Sequence, residues 1–150
     1  MSPRALFRIF AFAEVATWAG LITALVLRAT DVTDALVSPT GAIHGFIFLC
    51  YSLVTVFVWV NQRWKFGVGA LGLLAAIIPF ATLPFEIVAD RKGLLRGTWR
   101  LLPGGDEPRG FFEHGQAWVL RHPIWSIVIA IVAVVIVFNV LLILGPPVPR

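Results

Sequence analysis

A single cysteine, Cys50, excludes an intrachain disulfide, and its place inside an apolar run says nothing of redox compartment. Charge is scarce as well. Asp, Glu, Lys and Arg make up 13% of the chain, about half their share in soluble domains, which leaves too little polar surface to hold it in water. Phosphate cradles are absent: the one Gly-Gly pair, Gly104-Gly105, is not followed by Gly-Lys-Ser or Gly-Lys-Thr. No Gly-x-Ser-x-Gly elbow occurs, and His114 has no nucleophile at a recognisable offset. His114 and His122 lie eight residues apart, which is neither a zinc spacing nor a haem attachment motif. These gaps argue against hydrolase, nucleotide and metal chemistry, and no cofactor is expected.

What the chain has is apolar length. It is 59% hydrophobic, with a mean hydropathy of +0.89, a composition suited to a bilayer as solvent. Four runs, residues 5–27, 41–60, 66–88 and 124–144, are long enough for an α-helix to cross a hydrocarbon core of roughly 30 Å. The expected fold is an all-α polytopic membrane protein with four transmembrane helices. It divides into a three-span membrane domain (1–92), an interfacial amphipathic linker (93–123), and a fourth transmembrane helix with a short tail (124–150). Glu14 breaks the first run and no small-residue cleavage site follows it, so a retained helix is expected there, not a signal peptide.

Local signals refine this plan. Thr40 is the expected N-cap of the second helix, and Asn61 to Lys65, with Trp64 among polar and basic residues, marks a membrane interface. Pro79 predicts a kink in the third run, with Pro84 beyond it. In the linker, Leu94, Leu95 and Trp99 alternate with Arg96 and Arg100, and Phe111, Phe112 and Trp118 with Arg109 and Arg121. Both pieces suit a position flat at the headgroups, separated by Pro103-Gly104-Gly105. The last run is apolar apart from Ser126 and Asn139, and Gly145-Pro146-Pro147 is expected to end it.

A net charge of +4 would suggest nucleic acid in a soluble protein, but basic residues flanking apolar spans meet lipid headgroups, so the expected partner is the lipid bilayer and nucleic acid is not. Orientation divides the charges. If all four runs cross, cytoplasmic termini put Arg4, Arg8, Arg63, Lys65 and Arg150 inside against seven basic residues outside, which the positive-inside rule disfavours. Arg4 and Arg8 at the start of the first helix favour it nonetheless. The alternative is a proline-broken third segment that re-enters without crossing, which collects both basic clusters on one side.

Polar residues inside the apolar runs form the candidate seam: Glu14, His44, Tyr51, Thr55 and Glu86. His44, Tyr51 and Thr55 share a face of the second helix, beside a small-residue groove of Gly41, Gly45 and Ser52. Counting about 1.5 Å of rise per residue puts Glu14 level with Tyr51 and roughly 10 Å from His44, while His44, Glu86 and Arg28 cluster near the opposite surface. A carboxylate in a span costs a few kcal/mol, so Glu14 is expected to be a packing element bonded to Tyr51 or a titrating group on an ion path. The leading expectation is a non-enzymatic membrane subunit that self-associates or serves a larger membrane complex. Alternatives are a proton, ion or small-solute transporter or channel protomer using Glu14, Tyr51 and His44, and a membrane enzyme or haem or metal carrier centred on His44.

The first 92 residues also carry an ordered set of features: Ala13-Glu14 in the first span, Gly41-Ala42-Ile43-His44-Gly45 opening the second, Tyr51 on the same face, Arg63-Trp64 in the turn, and Ile78-Pro79-Phe80 in the third. This combination resembles the YdzA-like domain-of-unknown-function family of small bacterial integral membrane proteins. The resemblance implies a multi-pass protein of the bacterial cytoplasmic membrane with about three spans, and implies no activity. Everything from Gly93 onward, including the fourth span, is an addition to that pattern.

Overall fold

A computed structural model describes residues 1–144. Among the described residues there are six helices and no strand: α1 (Pro3–Ala29), α2 (Val37–Gln62), α3 (Phe66–Ile77), α4 (Thr82–Arg91), α5 (Gly110–Arg121) and α6 (Pro123–Leu144). The chain is thus an all-helical, polytopic membrane protein. By length and composition α1 and α2 can each cross a bilayer, and the bent pair α5 and α6 adds a third span if it is one unit. Gly145-Pro146-Pro147 and the tail lie outside the described residues.

Residues Met1–Arg100 form one compact unit. α1 starts where Ser2 accepts a hydrogen bond from the Ala5 amide (3.2 Å), with Pro3 at the first helical position. α2 starts at Val37, one turn before the expected Gly41. Pro39 is tolerated because it falls in the first turn, where its missing N–H has no helical acceptor. Thr40 is therefore inside the helix and caps nothing; its hydroxyl donates back to the Leu36 carbonyl (2.6 Å). α2 stops at Arg63, which takes the left-handed conformation at φ 50°.

The third segment breaks completely where the sequence suggests a kink. Ile78, constrained by Pro79, is extended (φ −94°, ψ 122°), and Phe80 is left-handed at φ 64°, so the chain reverses over residues 78–81. α3 runs inward along α2, with Gly69 against Trp59 and Gly72 against Thr55. α4 then runs back along α1: Thr82 Oγ1 donates to the Ala11 carbonyl (3.0 Å), Glu86 meets Arg8, and Asp90 meets Arg4. The pair enters and leaves at the N-terminal end of α1, which is the re-entrant alternative and not a continuous crossing over residues 66–88.

The core of this unit is small and tightly tied. Phe7 lies with its ring centroid 5.5 Å from Tyr51, 5.9 Å from Trp64 and 6.0 Å from Phe85, and Ala11, Val58, Ala76, Ala89 and Leu95 complete the cluster. Gly69 admits the Trp59 ring so closely that a Cβ there would fall 2.0 Å from it. Outside, Ile9, Phe12, Ile43, Phe46, Leu53 and Leu71 are exposed, the surface of a chain solvated by lipid.

Residues 92–100 form no amphipathic helix; turns there close the end of the unit. The Trp64 indole donates to the Leu94 carbonyl (2.8 Å), and the side-chain amide of Asn61 donates to the Thr98 carbonyl (3.2 Å). Arg100 donates to the Asn61 and Val60 carbonyls, satisfying the last turn of α2. Trp64 is thus a core residue and not a headgroup anchor.

Residues Leu101–Arg150 are a separate unit. In it the helical part of the expected linker is α5, whose start is fastened by the Arg109 amide donating to Glu113 (2.7 Å). α6 departs from α5 at 109°. Ser126 bonds back to the Val119 and His122 carbonyls, and the Asn139 amide donates to the Val135 carbonyl (2.7 Å).

Candidate functional site

Glu14 stands on α1 between the two bonds that hold the tip of the α3–α4 hairpin, Thr82 to Ala11 below it and the Trp18 indole to the Ala76 carbonyl (3.2 Å) above. Its side chain is fully buried, and neither carboxyl oxygen has a hydrogen-bond partner. His44 of α2 comes nearest, its Nδ1 3.9 Å from Glu14 Oε2, beyond hydrogen-bonding range but close enough for charge to be felt. The same Nδ1 lies 3.1 Å from Thr17 Oγ1, and the Thr17 hydroxyl donates to the Glu14 carbonyl (3.1 Å). Thr17 thus contacts both the His44 ring and the Glu14 carbonyl, tying α2 to α1. The Trp18 ring packs on the imidazole at 4.4 Å between centroids.

The seam is therefore rearranged from the one that the sequence suggests. Glu14 meets His44, not Tyr51, because α2 begins a turn early and its register on α1 sets Thr17 against His44, an offset that counting from the ends of apolar runs does not include. Tyr51 is instead claimed by α3: its hydroxyl donates to the Gly72 carbonyl (3.1 Å). Thr55 bonds back to the Tyr51 carbonyl (2.8 Å) and packs its methyl beside Gly72.

Glu86 does not join His44 and Arg28. The hairpin reversal carries it to the other end of α1, where Arg8 Nε donates to its Oε1 (2.7 Å). Arg8 also reaches Asp90 (3.2 Å), and Asp90 pairs with Arg4. Sequence reasoning missed Arg8 as the partner of Glu86; the available signal was a guanidinium placed inside an apolar run, which demands a carboxylate. It also missed Thr17 as the hydrogen-bond partner of His44.

Among the described residues, no group of three or more His, Cys, Asp or Glu side chains is placed to hold a metal ion. His114 and His122 each turn Nδ1 to the carbonyl one helical turn before, Gly110 (2.7 Å) and Trp118 (3.0 Å). The arrangement places two titratable groups, Glu14 and His44, side by side between α1 and α2 without a direct hydrogen bond between them.

A family model described as Domain of unknown function (DUF3817) matches residues 4–91, the stretch from α1 to the end of α4. The membrane protein SCO5905 of Streptomyces coelicolor is 39% identical over 87 residues, 57% of this chain and 10% of that protein. The uncharacterized membrane protein YdzA of Bacillus subtilis is 28% identical over 69 residues, 46% of this chain and 59% of that protein. The chain thus spans less than two thirds of either relative, and their names speak only of the membrane. No solved structure matches.

Proposed function

The chain belongs to the DUF3817 family, a domain of unknown function, and on that premise we propose that it is a non-enzymatic subunit of the bacterial cytoplasmic membrane that assembles through its α1–α2 pair. One observation carries the reading. Gly41 and Gly45, four residues apart on α2, and Gly20 on α1 are open: a Cβ at any of them would meet nothing within 4 Å. Gly69 and Gly72, by contrast, are each filled by a neighbouring ring or methyl. Small residues spaced by four let helices approach closely in lipid, where packing and not hydrophobicity drives association. The open glycines thus mark a face suited to another helix. A doubled substitution, Gly41→Ile with Gly45→Ile, adds side chains where a Cβ meets nothing within 4 Å and should convert a discrete oligomer in nanodiscs to monomer by mass photometry. A wild-type protein that is monomeric at every loading, with no co-purifying partner, would overturn the proposal.

The orphaned Glu14 carboxyl favours a second reading, a protomer that conducts protons with His44 as its neighbour. Proton flux into liposomes under an imposed pH gradient separates the two. Flux abolished by Glu14→Gln and by His44→Ala supports conduction, and absence of flux in the wild type removes it.

A further inference from the structure

The hairpin reversal gathers charge at one end of the first unit. Met1 to Arg8, the turn after α2 and the segment after α4 all lie there, joined by the Trp64 to Leu94 bond and by the Trp99 indole donating to the Met1 carbonyl (2.7 Å). Eight cationic side chains (Arg4, Arg8, Arg63, Lys65, Arg91, Lys92, Arg96, Arg100) stand there against two carboxylates, Glu86 and Asp90. The opposite end, residues 28–36, holds Arg28 with Asp31 and Asp34.

The two carboxylates are consumed. Glu86 is buried on Arg8, and Asp90 is shared by Arg8 and Arg4. Arg100 is spent on the carbonyls of α2. Lys65, Arg91, Lys92 and Arg96 remain exposed, with Lys65 next in sequence to the indole that holds Leu94 and the other three within three residues of Leu94. α3 starts right after Lys65, and Phe66, Leu71 and Leu74 on it are all exposed hydrocarbon.

We propose that Lys65, Arg91, Lys92 and Arg96 form a cationic collar that binds the headgroups of anionic phospholipids, whose acyl chains lie along the outer face of α3. A phosphodiester with net negative charge is what such a collar complements, and the exposed apolar surface of α3, which begins beside Lys65, selects a lipid over a free anion. Juxtamembrane cations of this kind draw the protein to an anionic leaflet, so the collar also orients it, with the N-terminus on the cytoplasmic side and residues 30–36 on the other.

The test is native mass spectrometry of the full chain released from nanodiscs that contain equal phosphatidylglycerol and phosphatidylcholine. Retained phosphatidylglycerol should exceed phosphatidylcholine at least tenfold. Each single change, Lys65→Gln, Arg91→Gln, Lys92→Gln or Arg96→Gln, should cut that excess by up to about fivefold. The four together should abolish it, and Arg28→Gln should leave it unchanged. Because these side chains are exposed, unaltered helicity checks that the variants fold. Equal retention of both lipids by the wild type, a preference that survives in the fourfold variant, or displacement of phosphatidylglycerol by millimolar inorganic phosphate would each overturn the proposal.

Discussion

Two carboxyl groups, Glu86 and Glu14, are buried to the same degree in one small membrane unit, and they are treated in opposite ways. On the α1–α4 seam, Glu86 receives the Arg8 guanidinium at 2.7 Å and belongs to a four-residue charge network. On the α1–α2 seam, Glu14 has a histidine at 3.9 Å and no hydrogen bond. A buried charge is tolerated when it is paired, and a buried carboxyl without a donor is stable only when it carries its own proton or meets something else. The first seam is therefore a fastening, and the second holds the chemistry that the packing leaves unresolved.

The contrast breaks most visibly at Arg8. Arg8→Ala strands Glu86 without a counter-charge and should lower the midpoint of thermal unfolding in detergent by about 10 °C. Adding Glu86→Gln should restore most of the loss; a double variant no better than the single would show that the pair is not coupled. The opposite sign is expected on the other seam. Glu14→Leu replaces an orphaned carboxyl by hydrocarbon of similar volume and should stabilise by about 1–2 kcal/mol in reversible denaturation. A loss of comparable size would mean that Glu14 has a partner after all. Smallest is Thr82→Val, which removes the bond to the Ala11 carbonyl at the hairpin tip and should cost about 1 kcal/mol, since that carbonyl keeps its own helical bond.

Legibility in the sequence tracked the range of each interaction. The helical character of α1 and α2 was readable because a long apolar run needs only its own residues to become a helix in lipid. Pro79 correctly marked a discontinuity, but the reversal depends on an extended Ile78, a left-handed Phe80 and the grip of Ala11 on Thr82, and the last is a partner 71 residues away. Once α4 turns back, Glu86 travels with it, which is why counting depth along an unbroken helix placed it at the wrong end. For Glu14 and His44 the residues were identifiable by type alone, as ionisable groups inside apolar runs. Their pairing was not, because a one-turn change in where α2 starts alters which side chains share a level.

The re-entrant pair also sets the crossing parity that this unit contributes to any longer membrane chain that contains it. α1 and α2 contribute two crossings and the hairpin contributes none, so the parity of the unit is even. A polypeptide that enters it from one compartment leaves toward the same compartment. Such a segment can be joined ahead of further spans without inverting their orientation, whereas a three-crossing segment would turn every downstream loop inside out.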